Sequence, residues 1–250
     1  MSYPKKKWGQ NFLIDNNIIN KIISTANPKK DSPIIEIGAG NGALTLPLSN
    51  IVSDLKAVEI DPTLSQALID KKIPNTEVIN CDFLKYDLNY TERPLSFIGN
   101  LPYNITSPII FKIIHNSNWE KATIMVQDEV ADRIVAYPRS KSYGRLSVMV
   151  QALSQPNKIF TVSNNCFFPK PKVQSAIITL KSKITNIEDF NNFSEIVRIA
   201  FVKRRKILNN SLGKVLNDDS IDGYRNMRPE ELSVQDFIKI HKRNLLNKIK

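Results

Sequence analysis

Apolar and polar positions repeat along this chain with two different periods. From Asp15 to Ala26, Ile18, Ile19, Ile22, Ile23 and Ala26 recur at helical spacing, with Asp15 placed to cap the first turn. Short apolar runs follow, each bounded by turn residues: 33–37 (PIIEI), 55–60 (LKAVEI), 76–84 (TEVINCDFL), the run opening at Phe97, and 121–127. Helices are predicted between them: from Ala43, from Asp61-Pro62, over Ser107–Asn116 with Ser107 as cap and Pro108 at the first helical position, over Asp128–Ala136 and over Tyr143–Ser154. Strands alternating with helices predict an α/β fold with a doubly wound, mostly parallel sheet. Ile159–Val162 and Val173–Leu180 have only a loop between them, so they are expected as an antiparallel closing pair. Beyond about residue 184 only helical spacing remains. Phe193, Ile196, Val197, Ala200 and Phe201 mark one buried face, with further helices expected over Ile207–Leu216 and near Ser233–Lys248. The expected division is 1–184 for the α/β domain and 185–250 for a small all-α domain.

Composition narrows the function. A chain of 250 residues with 42% apolar content can bury a full core. Its 35 basic and 24 acidic residues give a net charge of +11, which suggests a polyanionic partner such as nucleic acid. An AT-rich genome, in which lysine codons are common, is the alternative source of that charge. The two cysteines, Cys81 and Cys166, have no metal-ligand spacing. The two histidines, His115 and His241, stand alone, so neither a metal site nor a His-based triad is expected, and both are assigned to the surface or to helix faces. No apolar run approaches the roughly 20 residues of a membrane span. The N-terminal stretch MSYPKKKWGQNF lacks the apolar segment of a signal peptide, so a cytoplasmic protein is expected. Residues 5–14 (KKKWGQNFLI) interleave lysines and aromatics; such an arm can touch RNA, close over a ligand, or be a plain tail.

Candidate chemistry gathers at the predicted strand ends. Gly38, Gly40 and Gly42 follow the first strand as G-x-G-x-G, where glycines allow a tight turn and close approach to a ligand. Glu59 ends the next strand, where a carboxylate can accept from both hydroxyls of a ribose. Asp82 ends the third and can accept from an adenine amino group. Asn100-Leu101-Pro102-Tyr103 ends the fourth. There the Asn100 side-chain oxygen and a neighbouring carbonyl can accept from an exocyclic amine, Pro102 removes a competing donor, and Tyr103 can stack on a base. Each feature alone also suits an ordinary turn or helix cap; their occurrence at four successive strand ends is harder to set aside.

The chain resembles the S-adenosylmethionine-dependent ribosomal RNA adenine dimethyltransferases, in particular the small-subunit (16S) enzymes whose loss gives kasugamycin resistance. The resemblance rests on GQNFLID (9–15), EIGAGNGALT (36–45), VEID (58–61), CDFL (81–84), GNLPYNITSP (99–108), YGRLSVMVQ (143–151), FFPKPKVQSA (167–176) and AFVKRRKILNNSL (200–212), in the family's order. It implies a Rossmann-like methyltransferase sheet whose last strand is antiparallel, followed by a helical RNA- or ribosome-binding domain. It implies that S-adenosyl-L-methionine is held by Asn11, Leu13, Gly38, Gly40, Glu59, Asp82 and Asn100. It further implies catalysis by Asn100, Leu101, Pro102 and Tyr103, with Tyr103 and Phe167 sandwiching the target adenine. Phe168 stands where a smaller residue is expected, so either ring can be the one that stacks.

The implied reaction is transfer of methyl groups to N6 of two adjacent adenosines in the 3′-terminal hairpin loop of 16S rRNA, during small-subunit assembly. Alternatives are a large-subunit methylase of the macrolide-resistance type and a non-catalytic assembly or transcription factor with the same fold. A nicotinamide oxidoreductase is disfavoured by the G-x-G-x-G spacing and the basic charge. For RNA contact the candidates are Lys203, Arg204, Arg205 and Lys206, with Lys5–Lys7, Arg139, Lys141 and Arg145 as a second patch. The partner is then the small ribosomal subunit, not a membrane, and a monomer is the default.

Overall fold

The structure is a computed structural model that describes residues 4–5, 8–185 and 187–249. The chain divides into two compact units: residues through Ala131 together with Gln155–Ser182, and Asp132–Ser154 together with Lys183–Lys250.

The first unit is an α/β sheet structure. Strands β1 (Phe12–Leu13), β2 (Ile34–Ile37), β3 (Leu55–Glu59), β4 (Thr76–Asn80), β5 (Leu95–Asn100) and β6 (Trp119–Gln127) alternate with helices α1 (Asn16–Ala26), α2 (Thr45–Ser49), α3 (Pro62–Asp70) and α4 (Thr106–His115). Helix α5 (Asp128–Val135) carries the chain into the second unit and α6 (Arg145–Leu153) belongs there; β7 (Ser154–Val162), β8 (Phe167–Phe168) and β9 (Ser175–Ser182) complete the first. Among the described residues seven strands form one sheet in the order β4-β3-β2-β5-β6-β9-β7. Neighbours from β4 to β6 are parallel, and β9 runs antiparallel to β6. The chain winds outward from β2 through β3 to β4, then returns to place β5 on the other side of β2. That reversal opens a crevice at the strand ends, the usual ligand position in such sheets.

The apolar strand runs are buried as expected; Ile35, Ala57, Leu95 and Ile124 have no exposed surface. Asp15 caps α1 by accepting from the Asn17 and Ile18 amides, and Asp61 caps α3 through the Thr63 amide. Other boundaries differ. The helix after the glycine loop starts at Thr45 rather than Ala43 and spans one turn. Ser107 is not a cap, because a 3₁₀ turn (Tyr103–Ile105) starts the helix early and the Thr106 hydroxyl donates to the Pro102 carbonyl at 3.0 Å. Pro108 then lies within the first helical turn, where its missing N–H costs no intrahelical bond. Strand β7 starts at Ser154 rather than Ile159, with an alternating exposed pattern that suits its edge position. The two-residue ladder between β1 and β8 had no periodic signal and was not expected.

In the second unit, α7 (Phe190–Val202) buries Phe193, Ile196, Val197 and Ala200 as its spacing predicts. It packs with α8 (Val234–Ile249), where the Phe193 ring meets His241 edge-on at 5.7 Å. His241 is fully buried, its Nδ1 at 3.1 Å from Asn192 Oδ1, rather than at the surface. The helix expected over 207–216 is instead two 3₁₀ turns, Leu208–Asn210 and Leu212–Lys214. Tertiary bonds compete for its amides: Leu208 N–H donates to Met227 and Asn209 N–H to Arg225. The expected contiguous boundary at 184 also needs correcting for residues 132–154, which join the second unit. Tyr143, ahead of α6, packs there as well, its ring edge-on to Phe201 at 6.3 Å. Among the described residues no helix is long and apolar enough to cross a membrane.

Candidate active site

The ends of β2 and β5 define the site. Their register sets Ile37 beside Gly99, and a Cβ at Gly99 would lie 2.5 Å from the Ile37 carbonyl oxygen. Glycine is therefore required for the two strands to deliver Gly38 and Asn100 side by side. Beyond β2, Gly38 and Gly40 have φ of +75° and +56°. The Gly38 amide donates to Val58 at 2.9 Å and the Gly40 amide to Glu59 Oε2 at 2.8 Å. The other Glu59 oxygen accepts from the Asp61 amide at 2.8 Å. Burial raises the Glu59 carboxyl above its usual pKa, opposed by the Asp61 and Gly40 amides.

An open cavity lies over these turns. Asn11, Leu13, Gly38, Gly40, Glu59, Asn100, Leu101, Pro102 and Tyr103 all line it, so most of the predicted site converges. Its outer wall is residues 8–13, laid across the strand ends. Four ties hold this strap. The Lys5 ammonium and the Gln10 amide both reach the Asp61 carboxylate, at 2.8 and 3.1 Å, and Leu13 pairs with Phe167 in the β1–β8 ladder. The Asn100 Nδ2 donates to the Asn11 carbonyl at 2.8 Å. That bond fixes the orientation of the amide and leaves the Asn100 side-chain oxygen as an acceptor. The Tyr103 hydroxyl is 2.7 Å from Ser175 Oγ, which anchors the tip of its ring.

Residues 1–244 match the family described as ribosomal RNA adenine dimethylase. The chain belongs to that family. A "Ribosomal RNA small subunit methyltransferase A" of Francisella tularensis subsp. novicida is 44% identical to it, over 94% of this chain and 95% of the relative. Among solved structures, a dimethyladenosine transferase from Plasmodium falciparum superposes with a TM-score of 0.81 at 27% identity, covering 95% of this chain and 98% of its own. The 23S rRNA methyltransferase ErmE gives 0.73 at 29% identity, covering 94% and 99%.

As a member of this family the chain is an S-adenosylmethionine-dependent rRNA adenine dimethyltransferase. The cavity suits that cofactor. Among the described residues lining it there are two carboxyl groups, Glu36 and Glu59, and no Lys, Arg or His, so it favours a cation. A Cβ on Gly40 would press on the Phe12 ring at 3.4 Å and narrow the space under the strap. Glu36, Gln10, Asp61 and Gly99 carry no site signal in the sequence beyond Glu36 standing as a lone acid inside the apolar run PIIEI.

Two predicted residues do not reach the cavity wall. Asp82 follows β4 and accepts from the Leu84 amide at 2.9 Å, capping the Phe83–Lys85 turn. Phe167 is 3% exposed and packs in the core with Ile19 and Met125. Its neighbour Phe168 is 50% exposed. In the second unit Lys203, Arg205 and Lys206 are exposed and line a concavity with Lys214. Arg204 is engaged instead: it pairs with Glu230 at 2.6 Å and donates to the Lys141 carbonyl at 2.8 Å. That tie draws residues 139–145, with exposed Arg139, Lys141 and Arg145, against residues 203–206. Of the Lys5–Lys7 patch, Lys6 and Lys7 lie outside the described residues, and Lys5 is bound to Asp61.

Proposed function

We propose that the chain dimethylates N6 of two adjacent adenosines in the 3′-terminal hairpin loop of 16S rRNA, acting as a cytoplasmic monomer on the assembling small subunit. The observation that carries the site assignment is the Asn100 amide, whose nitrogen is spent on the Asn11 carbonyl so that its oxygen is left to accept from an amine. S-adenosylmethionine supplies a methyl group on a sulfonium that carries its own leaving group.

Asn11, Leu13, Gly38 and Gly40 would enclose the cofactor, and Glu59 would accept from its ribose hydroxyls. Asp82, outside the wall of this cavity and already accepting from the Leu84 amide, has no role assigned in it. The target base must leave its stack to enter, and Tyr103 offers it a face, held by Ser175. Phe167 is buried where β8 pairs with β1, which leaves Phe168 as the ring open to RNA. An adenine amine is a weak nucleophile because its lone pair is delocalised. Asn100 Oδ1 and the Leu101 carbonyl accept from it, draw the nitrogen toward a tetrahedral shape, and stabilise the positive charge that develops as the methyl arrives. Pro102 adds no competing N–H. Lys203, Arg205 and Lys206 contact phosphate and position the enzyme without reading sequence.

A second reading, methylation of large-subunit RNA, is favoured by the likeness to ErmE, although at 29% identity against 44% for the small-subunit relative. The test is transfer from labelled S-adenosylmethionine to unmethylated small subunits with large-subunit RNA alongside. Label in the small-subunit RNA alone is expected. Label in large-subunit RNA alone would establish the second reading, and tight subunit binding without label would indicate an assembly factor.

A further inference from the structure

The turn that follows α5 presents one aromatic ring to solvent on a fixed frame. Tyr137 is 73% exposed, the most exposed aromatic side chain among the described residues, and it does not line the cofactor cavity. Its carbonyl accepts from the Ser140 amide at 3.2 Å and from the Ser140 hydroxyl at 2.7 Å, which closes a four-residue turn with Pro138 second and Arg139 third. Arg139 has a φ of +70°, the left-handed backbone that a type II turn demands at its third position and that glycine adopts without strain. An arginine stands there instead, and its amide donates to the Glu230 carbonyl at 2.7 Å. Farther along, Arg204 donates to the Lys141 carbonyl at 2.8 Å. Residues 137–141 are thus tied by the backbone at several points, while the side chains of Tyr137, Arg139 and Lys141 stay exposed.

Charge says what such a turn meets. Glu230, the carboxylate that reaches it, is neutralised by Arg204 at 2.6 Å. What faces solvent is a phenol ring, a guanidinium two residues on and an ammonium four residues on, in the same unit as exposed Lys203, Arg205 and Lys206. A flat ring among cations suits a base carried on a phosphate backbone. An apolar protein surface could cover the ring, but it would take water from Arg139 and Lys141 without pairing them.

We propose that Tyr137 stacks on an unpaired base of the small-subunit RNA outside the catalytic cavity, with Arg139 and Lys141 on the neighbouring phosphates. The proposal rests on the reading of that RNA as the substrate. A base within a duplex has both faces already stacked, so the ring selects for a nucleotide that is splayed out. Every base has a π-face, so the contact reads RNA shape rather than base identity.

The test is binding of the full-length wild-type protein and its Tyr137→Phe, Tyr137→Leu and Tyr137→Ala variants to unmethylated small subunits and to protein-free small-subunit RNA, over a range of salt. Far-UV circular dichroism checks the fold of each variant. Tyr137→Ala and Tyr137→Leu should lose roughly 5-fold or more in affinity for both probes, and Tyr137→Phe should bind like wild type. Tyrosine carries no charge, so Tyr137→Ala should leave the salt slope unchanged, whereas Arg139→Gln should flatten it by about 1. In methyl transfer the Tyr137→Ala defect should lie in the KM for subunits rather than in kcat. Wild-type affinity in Tyr137→Ala would overturn the proposal and leave the RNA reading standing. So would full affinity in Tyr137→Leu, which would show an apolar contact in place of stacking. A loss on subunits with none on free RNA would assign the ring to a ribosomal protein and overturn the proposal as well. Wild-type protein that binds neither probe would remove the RNA reading itself and the proposal with it.

Discussion

Replacing Gly99 by alanine tests whether the close approach of β2 and β5 builds the site. The added Cβ would stand 2.5 Å from the Ile37 carbonyl oxygen, 3.1 Å from its Cβ and 3.2 Å from its nitrogen. Two of those obstacles are backbone atoms of a strand fixed between β3 and β5, so no side-chain rotation relieves the clash. Overpacking of this kind costs up to roughly 3 kcal/mol when strands must separate. For a chain of this size that lowers the melting temperature by roughly 6–12 °C. The displaced atoms belong to residues next to Gly38 and Asn100, so S-adenosylhomocysteine affinity should fall by about 10-fold or more, a change of roughly 1.4 kcal/mol. Urea denaturation followed by circular dichroism, with calorimetric ligand binding, measures both effects. Gly144→Ala is the control: nothing lies within 4 Å of its Cβ position and φ is −170°, so a change under about 0.5 kcal/mol is expected. A Gly99→Ala protein as stable as the control, with wild-type affinity, would refute the reasoning.

Asn100→Ala removes both the acceptor and the tie to Asn11; single-turnover methyl transfer should drop by about 10²–10³-fold while RNA binding changes little. Near-normal turnover would remove Asn100 from the chemistry. Asp61→Asn should loosen the strap, seen as faster amide exchange across residues 9–13, and unchanged exchange there would count against it. Burial pushes the Asp61 carboxyl up, but Lys5, Gln10 and the Thr63 amide outweigh it and hold the pKa below the usual carboxylate value. Its stabilising contribution is therefore full above about pH 4 and is lost as pH falls through the lower folded value, which an acid titration of strap exchange would follow. Neutralising Lys203, Arg205 and Lys206 together should reduce the salt slope of RNA binding by roughly 2–3, and an unchanged slope would exclude them from the footprint. Arg204→Ala should cost about 1 kcal/mol of stability through its pairing with Glu230 and the Lys141 carbonyl, read by denaturant titration of the same protein.

Most of the sheet was legible in the sequence because buried parallel strands leave short apolar runs bounded by turn residues. Gly38, Glu59 and Asn100 could be placed around one cavity on that basis. What escaped depends on partners far along the chain. The strap closes through Lys5 and Gln10 on Asp61, more than 50 positions away, and the β1–β8 ladder is too short to show a period. Residues 207–216 have helical spacing, yet their amides are taken by Arg225 and Met227. Arg204 looks like its basic neighbours, and only the fold shows that Glu230 holds it. Phe167 and Phe168 are chemically identical; their burial, 3% against 50%, distinguishes them only in three dimensions.

The most direct test of the central claim is the nucleoside mass spectrum of small-subunit RNA after exhaustive reaction of wild-type protein with unmethylated subunits and S-adenosylmethionine. The account predicts N6,N6-dimethyladenosine at two adjacent positions, with monomethyladenosine only as a transient. Methyl groups on another base, or a reaction that stops at monomethyladenosine, would contradict it.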